Sequence, residues 1–142
     1  MQTNRDKLTD AQRERLDKWL AALRSGKYAQ TTDTLRDARG YCCLGVYGEV
    51  CLPTPHWEEY SDDGVVKYTL YTSEDTEHGG TLDDYAWNEM GLPIAQTDLS
   101  DMNDSGASFA AIAQAVEDWA NAKAGTPFST AKPDIDWEAD DE

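Results

Sequence analysis

The run Tyr41-Cys42-Cys43-Leu44-Gly45-Val46-Tyr47-Gly48-Glu49-Val50-Cys51 carries one charged side chain, Glu49. Cys43, Val46, Tyr47 and Val50 stand at the spacing of one helix face, although Gly45 and Gly48 lower helix propensity. The spacing predicts a short buried helix whose glycines permit close approach by another element, ended by Pro53 and Pro55. A helix with so little polar surface has to be enclosed by its neighbours.

On its N-terminal side, Thr9-Asp10-Ala11-Gln12 has the form of a capping box. Leu16, Trp19, Leu20 and Leu23 then recur at i, i+3, i+4 and i+7, and Gly26 stands where a left-handed C-cap falls. These signals predict an amphipathic helix over residues 10–24, with Arg13, Glu14, Arg15, Asp17 and Lys18 on its solvated side. From Tyr28 to Arg39 no helical stripe appears, which predicts extended chain and turn closed by Gly40. On the C-terminal side, Val66, Tyr68 and Leu70 alternate with Lys67, Thr69 and Tyr71, and Asp63-Gly64 supplies a turn. A β-hairpin over residues 57–72 is expected, then a polar loop from Ser73 to Gly80. A short helix from Thr81 to Met90 follows, with Leu82, Tyr85, Ala86 and Met90 inward and Gly91 and Pro93 closing it. Ser108 caps a last helix striped by Phe109, Ile112, Ala113, Val116, Trp119 and Ala120. The expected fold class is α+β: a small single domain over residues 1–128, helices packed on a short antiparallel sheet. Residues 129–142, with six acids and one lysine, are expected to form a disordered acidic tail.

Charge bounds the function. The 142 residues hold 28 acids and 12 basic side chains, a net charge of −16. It is unevenly placed: residues 1–40 hold nine basic and six acidic side chains, and residues 41–142 hold three and 22. Direct nucleic-acid binding is not expected, because affinity for phosphates rests on Lys and Arg. No apolar stretch approaches the roughly 20 residues a bilayer span needs, and no secretory h-region follows the N-terminus, so a cytoplasmic protein is expected. The bland account of the acid excess is solubility or a salt-rich host; the sharper one is a cationic partner.

The motifs for chemistry are sparse. Asp101, Asn103, Ser105 and Gly106 match positions 1, 3, 5 and 6 of a calcium loop, but position 12 is Ile112 where a bidentate Glu is needed. A turn whose Asn103 and Asp104 side chains bond local amides is expected there instead. Cys42, Cys43, Cys51, His56 and His78 show none of the pair spacings of a structural zinc site. No metal and no cofactor is expected. Three cysteines, two of them adjacent, read as reduced thiols packed as small hydrophobes. A nucleophile would be Cys42 or Cys43 beside His56 or His78, with Arg39 near to lower a thiol's pKa, but Tyr41, Leu44 and Val46 make the surroundings ordinary core. There is no phosphate loop, dinucleotide fingerprint or nucleophile elbow. A non-enzymatic protein is expected.

What remains is acid interleaved with aromatics. Trp57, Glu58, Glu59, Tyr60, Asp62 and Asp63, then Glu74, Asp75 and Glu77, then Asp83, Asp84 and Trp87, fall in one hairpin-loop-helix stretch. In the tail, Asp134, Asp136, Glu138 and Asp140 alternate around Trp137. Extended, such carboxylates stand about 7 Å apart, of the order of the phosphate repeat of a nucleic-acid strand. Trp57, Glu58, Glu59, Tyr60, Asp62, Asp63, Glu74, Asp75, Glu77, Asp83 and Asp84 are therefore the candidate contact residues for a basic protein, with exposed Trp or Tyr as anchors. The plain alternative is a solvated surface and a solubilising tail.

Three segments together carry a resemblance: residues 19–28 (Trp19-Leu20-Ala21-Ala22-Leu23-Arg24-Ser25-Gly26-Lys27-Tyr28), Leu35-Arg36-Asp37 with 40–46, and 102–109 with Ile112-Ala113. They are similar to a family of small uncharacterised proteins encoded by bacteriophages and prophages, and cover under a third of the chain. Met102 stands where Leu is expected, and Ala111 where an acid would complete a capping box with Ser108. The resemblance implies expression in a host bacterial cytoplasm and carries no catalytic residue. By analogy with small acidic phage proteins that block host enzymes, the expected function is inhibition of a basic host protein, a DNA-processing or defence enzyme. The alternatives are a binder that sequesters a nucleotide signal through Arg24, Arg36 and Arg39, a Cys-dependent hydrolase, and an assembly component.

Overall fold

Thr9 opens the first helix, α1 (Asp10–Arg24). Its hydroxyl accepts from the Gln12 amide and the Gln12 side chain accepts from the Thr9 amide, the reciprocal box expected. Leu16, Trp19, Leu20 and Leu23 are all buried. The computed structural model describes residues 2–72, 77, 78 and 81–128, with Tyr85 by its backbone; the tail expected over 129–142 lies outside the described residues, as do 73–76, 79 and 80.

Beyond Gly26, whose φ of 79° is the left-handed turn expected, the chain runs irregularly to two short strands, β1 (Arg36–Asp37) and β2 (Gly40–Tyr41). The central run is helical, α2 (Cys43–Cys51), and buried from Cys43 to Gly48. Both glycines act as expected. A Cβ on Gly45 would stand 2.1 Å from the Leu35 carbonyl oxygen, and one on Gly48 would stand 2.7 Å from the Leu70 Cδ2. Helix α2 thus sits against the chain entering β1 on one side and against the sheet on the other.

The hairpin pairs β3 (His56–Asp62) with β4 (Val65–Tyr71) in register from His56 opposite Tyr71 to Asp62 opposite Val65. Asp63 and Gly64 have φ of 54° and 81°, two successive left-handed residues whose twist matches the strands they join. The expected polar loop contains a strand, β5 (Glu77–His78), paired with β4. The sheet order is β2-β1-β4-β3, with β5 also on β4, so β3 is an edge. Charged side chains on such an edge also discourage pairing with other chains.

Three helices complete the described chain: α3 (Asp84–Met90), α4 (Gln96–Asp104) and α5 (Phe109–Asn121). Helix α5 buries the whole expected stripe, and Ser108 accepts from the Ala111 amide. Helix α3 begins at Asp84 rather than at Thr81, and it buries Trp87, which sequence proximity had grouped with the acids. Helix α4 corrects the expected turn. It starts at Ala95 with no side-chain cap bond, and its inward residues are Gln96, Leu99, Met102 and Asn103. Two polar residues in the stripe hide the periodicity from an apolar count. Helix α1 packs on α2 and α5, and α4 packs on the same two. The result is the α+β class expected: a single small domain with five helices on a small antiparallel sheet among the described residues.

Gly45 and Gly48 separate two kinds of close packing. A methyl on Gly45 meets rigid backbone, whereas one on Gly48 meets the end of a leucine side chain that can rotate. Gly45→Ala should destabilise by about 3 kcal/mol or more despite better helix propensity. Gly48→Ala should cost about 1 kcal/mol or less. Urea unfolding of the two variants checks this ordering.

Candidate functional site: the outer face of the hairpin

Directly opposed residues of an antiparallel pair share a face and successive residues alternate. The register therefore sorts the hairpin into two sides. One carries Trp57, Glu59, Ser61, Val66, Tyr68 and Leu70; Leu70 is fully buried against α2. The other carries His56, Glu58, Tyr60, Asp62, Val65, Lys67, Thr69 and Tyr71, joined by Glu77, which pairs with Tyr71. On this outer side His56, Glu58, Tyr60, Asp62, Val65 and Glu77 are exposed, and Lys67, Thr69 and Tyr71 are half-buried.

Two features distinguish the outer face from ordinary acidic surface. Tyr60 and Val65, 46% and 49% exposed, are the exposed large hydrophobics among the described residues, and both lie on it. A shallow depression lined by Glu58, Glu59, Tyr60, Thr69, Tyr71 and Glu77 runs beside them. Lys67 offsets part of the charge, its Nζ 3.4 Å from Asp62, and the His56 ring lies 3.2 Å from Glu58.

Of the residues selected from sequence, Glu58, Tyr60, Asp62 and Glu77 come together, with Asp63 at the adjoining turn. Glu59 is turned by alternation to the inner side, yet it is exposed and its edge lines the depression; Trp57, turned the same way, does not belong with them. Trp57 is half-buried there, and its indole N–H donates to Glu49 at 2.7 Å. Asp83 caps α3 by accepting from the Ala86 amide, while Asp84 is exposed on that helix. Glu74 and Asp75 lie outside the described residues, as does the tail comb around Trp137. Val65, Thr69 and Tyr71 were missed; extending the strand alternation to a search for surface apolar groups would have found Val65.

The three candidate arginines are in different states. Arg24 pairs with Glu117 at 2.7 Å, and Arg39 with buried Asp37 at 3.1 Å. Burial pushes the Asp37 carboxyl up, but the Arg39 amide and guanidinium and the Thr31 hydroxyl together hold it below the usual range. Arg36 instead lies over three rings: Tyr68 at 4.1 Å, Tyr41 at 4.8 Å and Trp57 at 5.3 Å.

The thiols are unbridged. Burial pushes Cys42 up to about 11 and Cys43 well above its ordinary value, and raises half-buried Cys51 to about 12. Cys42 is the cap of α2, accepting from the Gly45 amide at 3.4 Å, yet desolvation outweighs that contact. The calcium-loop pattern is broken by α4, which contains Asp101 and Asn103. Among the described residues no His, Cys, Asp and Glu gather as a metal site, and no helix is long and apolar enough to cross a membrane. Residues 12–120 match a family described as a domain of unknown function (DUF8296). No curated protein and no solved structure matches the chain.

His78 bears on stability. It is almost wholly buried, its Nδ1 accepts the Asp83 N–H at 2.7 Å, and its Nε2 has no partner among the described residues. Burial lowers its pKa below the ordinary 6.5, against the opposing charge of Asp83. The unfolded chain therefore takes up a proton near pH 6.5 that the folded protein refuses until lower pH. This contribution to stability is complete above pH 6.5 and is lost as pH falls below it. Unfolding free energy should drop between about pH 6.5 and pH 5.5, by at most about 1.4 kcal/mol per pH unit. His78→Gln should flatten that slope, measured by urea titration across the interval; an equal slope in both proteins contradicts the assignment.

Proposed function

The chain belongs to the DUF8296 family, and from that premise we propose that it is a non-enzymatic phage accessory protein whose outer hairpin face binds and inhibits a basic host protein. The partner class is an enzyme with a cationic groove, a DNA-processing or defence enzyme, met in the host bacterial cytoplasm. The observation that carries this reading is the coincidence of Tyr60 and Val65 with Glu58, Asp62 and Glu77 on one sheet face, where among the described residues all five are exposed. Charge alone steers encounter and favours a cationic partner, while exposed aromatic and aliphatic groups among the charges supply the anchoring area that solubilising acid does not need. Glu58 and Asp62, four residues apart on β3, stand about 13 Å apart, a span that suits a groove shaped for a phosphate backbone. The buried, protonated thiols favour this over a Cys-dependent hydrolase, which needs a thiolate.

The test is capture from host lysate by the immobilised full chain, at low and high salt. A cationic protein should be retained at low salt and released as ionic strength rises. Combined Glu58→Lys and Asp62→Lys should weaken the complex at least about 100-fold, and Tyr60→Ala about 10- to 30-fold. Glu14→Lys, on the solvated side of α1, should change affinity less than about 3-fold. A complex that survives the double reversal, or responds equally to Glu14→Lys, contradicts the proposal.

A further inference from the structure

The inner face of the same sheet holds a cation in an unusual state. Arg36 is half-buried on β1, stacked on Tyr68, Tyr41 and Trp57. The rings are themselves braced edge to face: Tyr28 against Tyr41 at 5.2 Å and Tyr41 against Trp57 at 5.6 Å, with Glu49 fixing the Trp57 indole. Ring faces attract a guanidinium and hold its plane, but they give its in-plane N–H donors no acceptor and leave them open to solvent. A half-buried arginine normally finds acceptors for those donors. Arg5, Arg13, Arg24 and Arg39 each hold a carboxylate; half-buried Arg15 holds none among the described residues but lies over no ring, so the triple stack sets Arg36 apart. Among the described residues no carboxylate, carbonyl or hydroxyl accepts from the Arg36 guanidinium, in a chain with 28 acids. Of the acids beside the cluster, Glu49 gives its oxygen to Trp57, and Glu59, opposite Tyr68 on the same face, forms no ion pair with Arg36.

We propose that Arg36, held by Tyr41, Trp57 and Tyr68, is a binding site for a small oxyanion, the phosphate or carboxylate of a small molecule. The chemistry is the fork of a fixed guanidinium, which matches two oxygens of one anion at once. Stacking immobilises the long side chain before the ligand arrives, so little rotamer entropy remains to be lost on binding. Tyr28 and Glu49 act one step back, positioning the rings. The site lies on the opposite side of the sheet from Tyr60 and the outer acids, so it stands or fails separately from the inhibitor reading.

The experiment is a titration of the full chain followed by ¹H–¹⁵N NMR at the Arg36 Nε–H and the Trp57 indole N–H, at constant ionic strength. Inorganic phosphate, acetate and adenosine monophosphate are the probes. At least one should shift both signals saturably, with half-saturation at about 1–10 mM. Adenosine monophosphate binding at least about 10-fold tighter than inorganic phosphate identifies a nucleotide-like ligand; equal affinity identifies the free anion, and preference for acetate a carboxylate. Arg36→Lys keeps the charge but loses the fork and the flat stack, and should raise the half-saturation at least about 10-fold. Tyr68→Leu leaves Arg36 in place with its nearest ring removed, and should weaken binding several-fold even if Arg36 variants fold poorly. Linear shifts with no saturation up to about 50 mM for all three probes, or the largest shifts far from Arg36, overturn the proposal.

Discussion

The carboxamide of Asn103 joins segments that are far apart in the chain. Its Oδ1 accepts from the Cys43 amide at 3.1 Å and from the Gln30 side chain at 2.9 Å, and its Nδ2 donates to the Thr31 carbonyl at 2.8 Å. On the other side of the same peptide run, the Trp19 indole donates to the Cys43 carbonyl at 2.9 Å. Helices α1, α2 and α4 and the chain before β1 are thus tied through one buried point, where Asn103 is 1% exposed. Each buried polar group left unpaired costs about 1–3 kcal/mol, and a domain of this size has only about 5–15 kcal/mol in hand. The segments 19–28, 40–46 and 102–109, remote in sequence, meet there.

This clamp lies on the helical side of the sheet, and so does the apolar core. From the sheet, Leu70 enters the core fully and Trp57 and Tyr41 enter it in part. On the outer face of the hairpin the acids, Tyr60 and Val65 are exposed and none of them enters the apolar core. A sheet packed on one face alone leaves the other free to vary in chemistry. Here the two faces diverge, with Glu58, Asp62 and Glu77 outside and, beside Glu59, a stacked guanidinium inside.

Much of the architecture was legible because it rests on apolar periodicity and turn chemistry. Leu16, Trp19, Leu20 and Leu23, the α5 stripe, and the Asp63-Gly64 turn each state their conformation locally. Helix α4 was not legible, since Gln96 and Asn103 face inward for long-range hydrogen bonds that no local pattern announces. His78 was similarly hidden, its burial decided by pairing with Leu70. The candidate surface was half legible. Proximity in sequence grouped Glu58 with Glu59 and Trp57, whereas strand alternation separates them. Which of Arg24, Arg36 and Arg39 would lack a carboxylate depended on where Glu117 and Asp37 fall in space.

The clamp is tested most directly by native-state hydrogen exchange at the Cys43 amide. Cys43 opens α2, and the first amides of a helix ordinarily have no intrahelical partner and fray. With its N–H held by Asn103, this amide should exchange only when the whole domain unfolds. Its opening free energy should then equal the global value from denaturant unfolding, with the same denaturant dependence. Exchange through a local, denaturant-independent opening several kcal/mol below the global value would show that the fold does not depend on this contact.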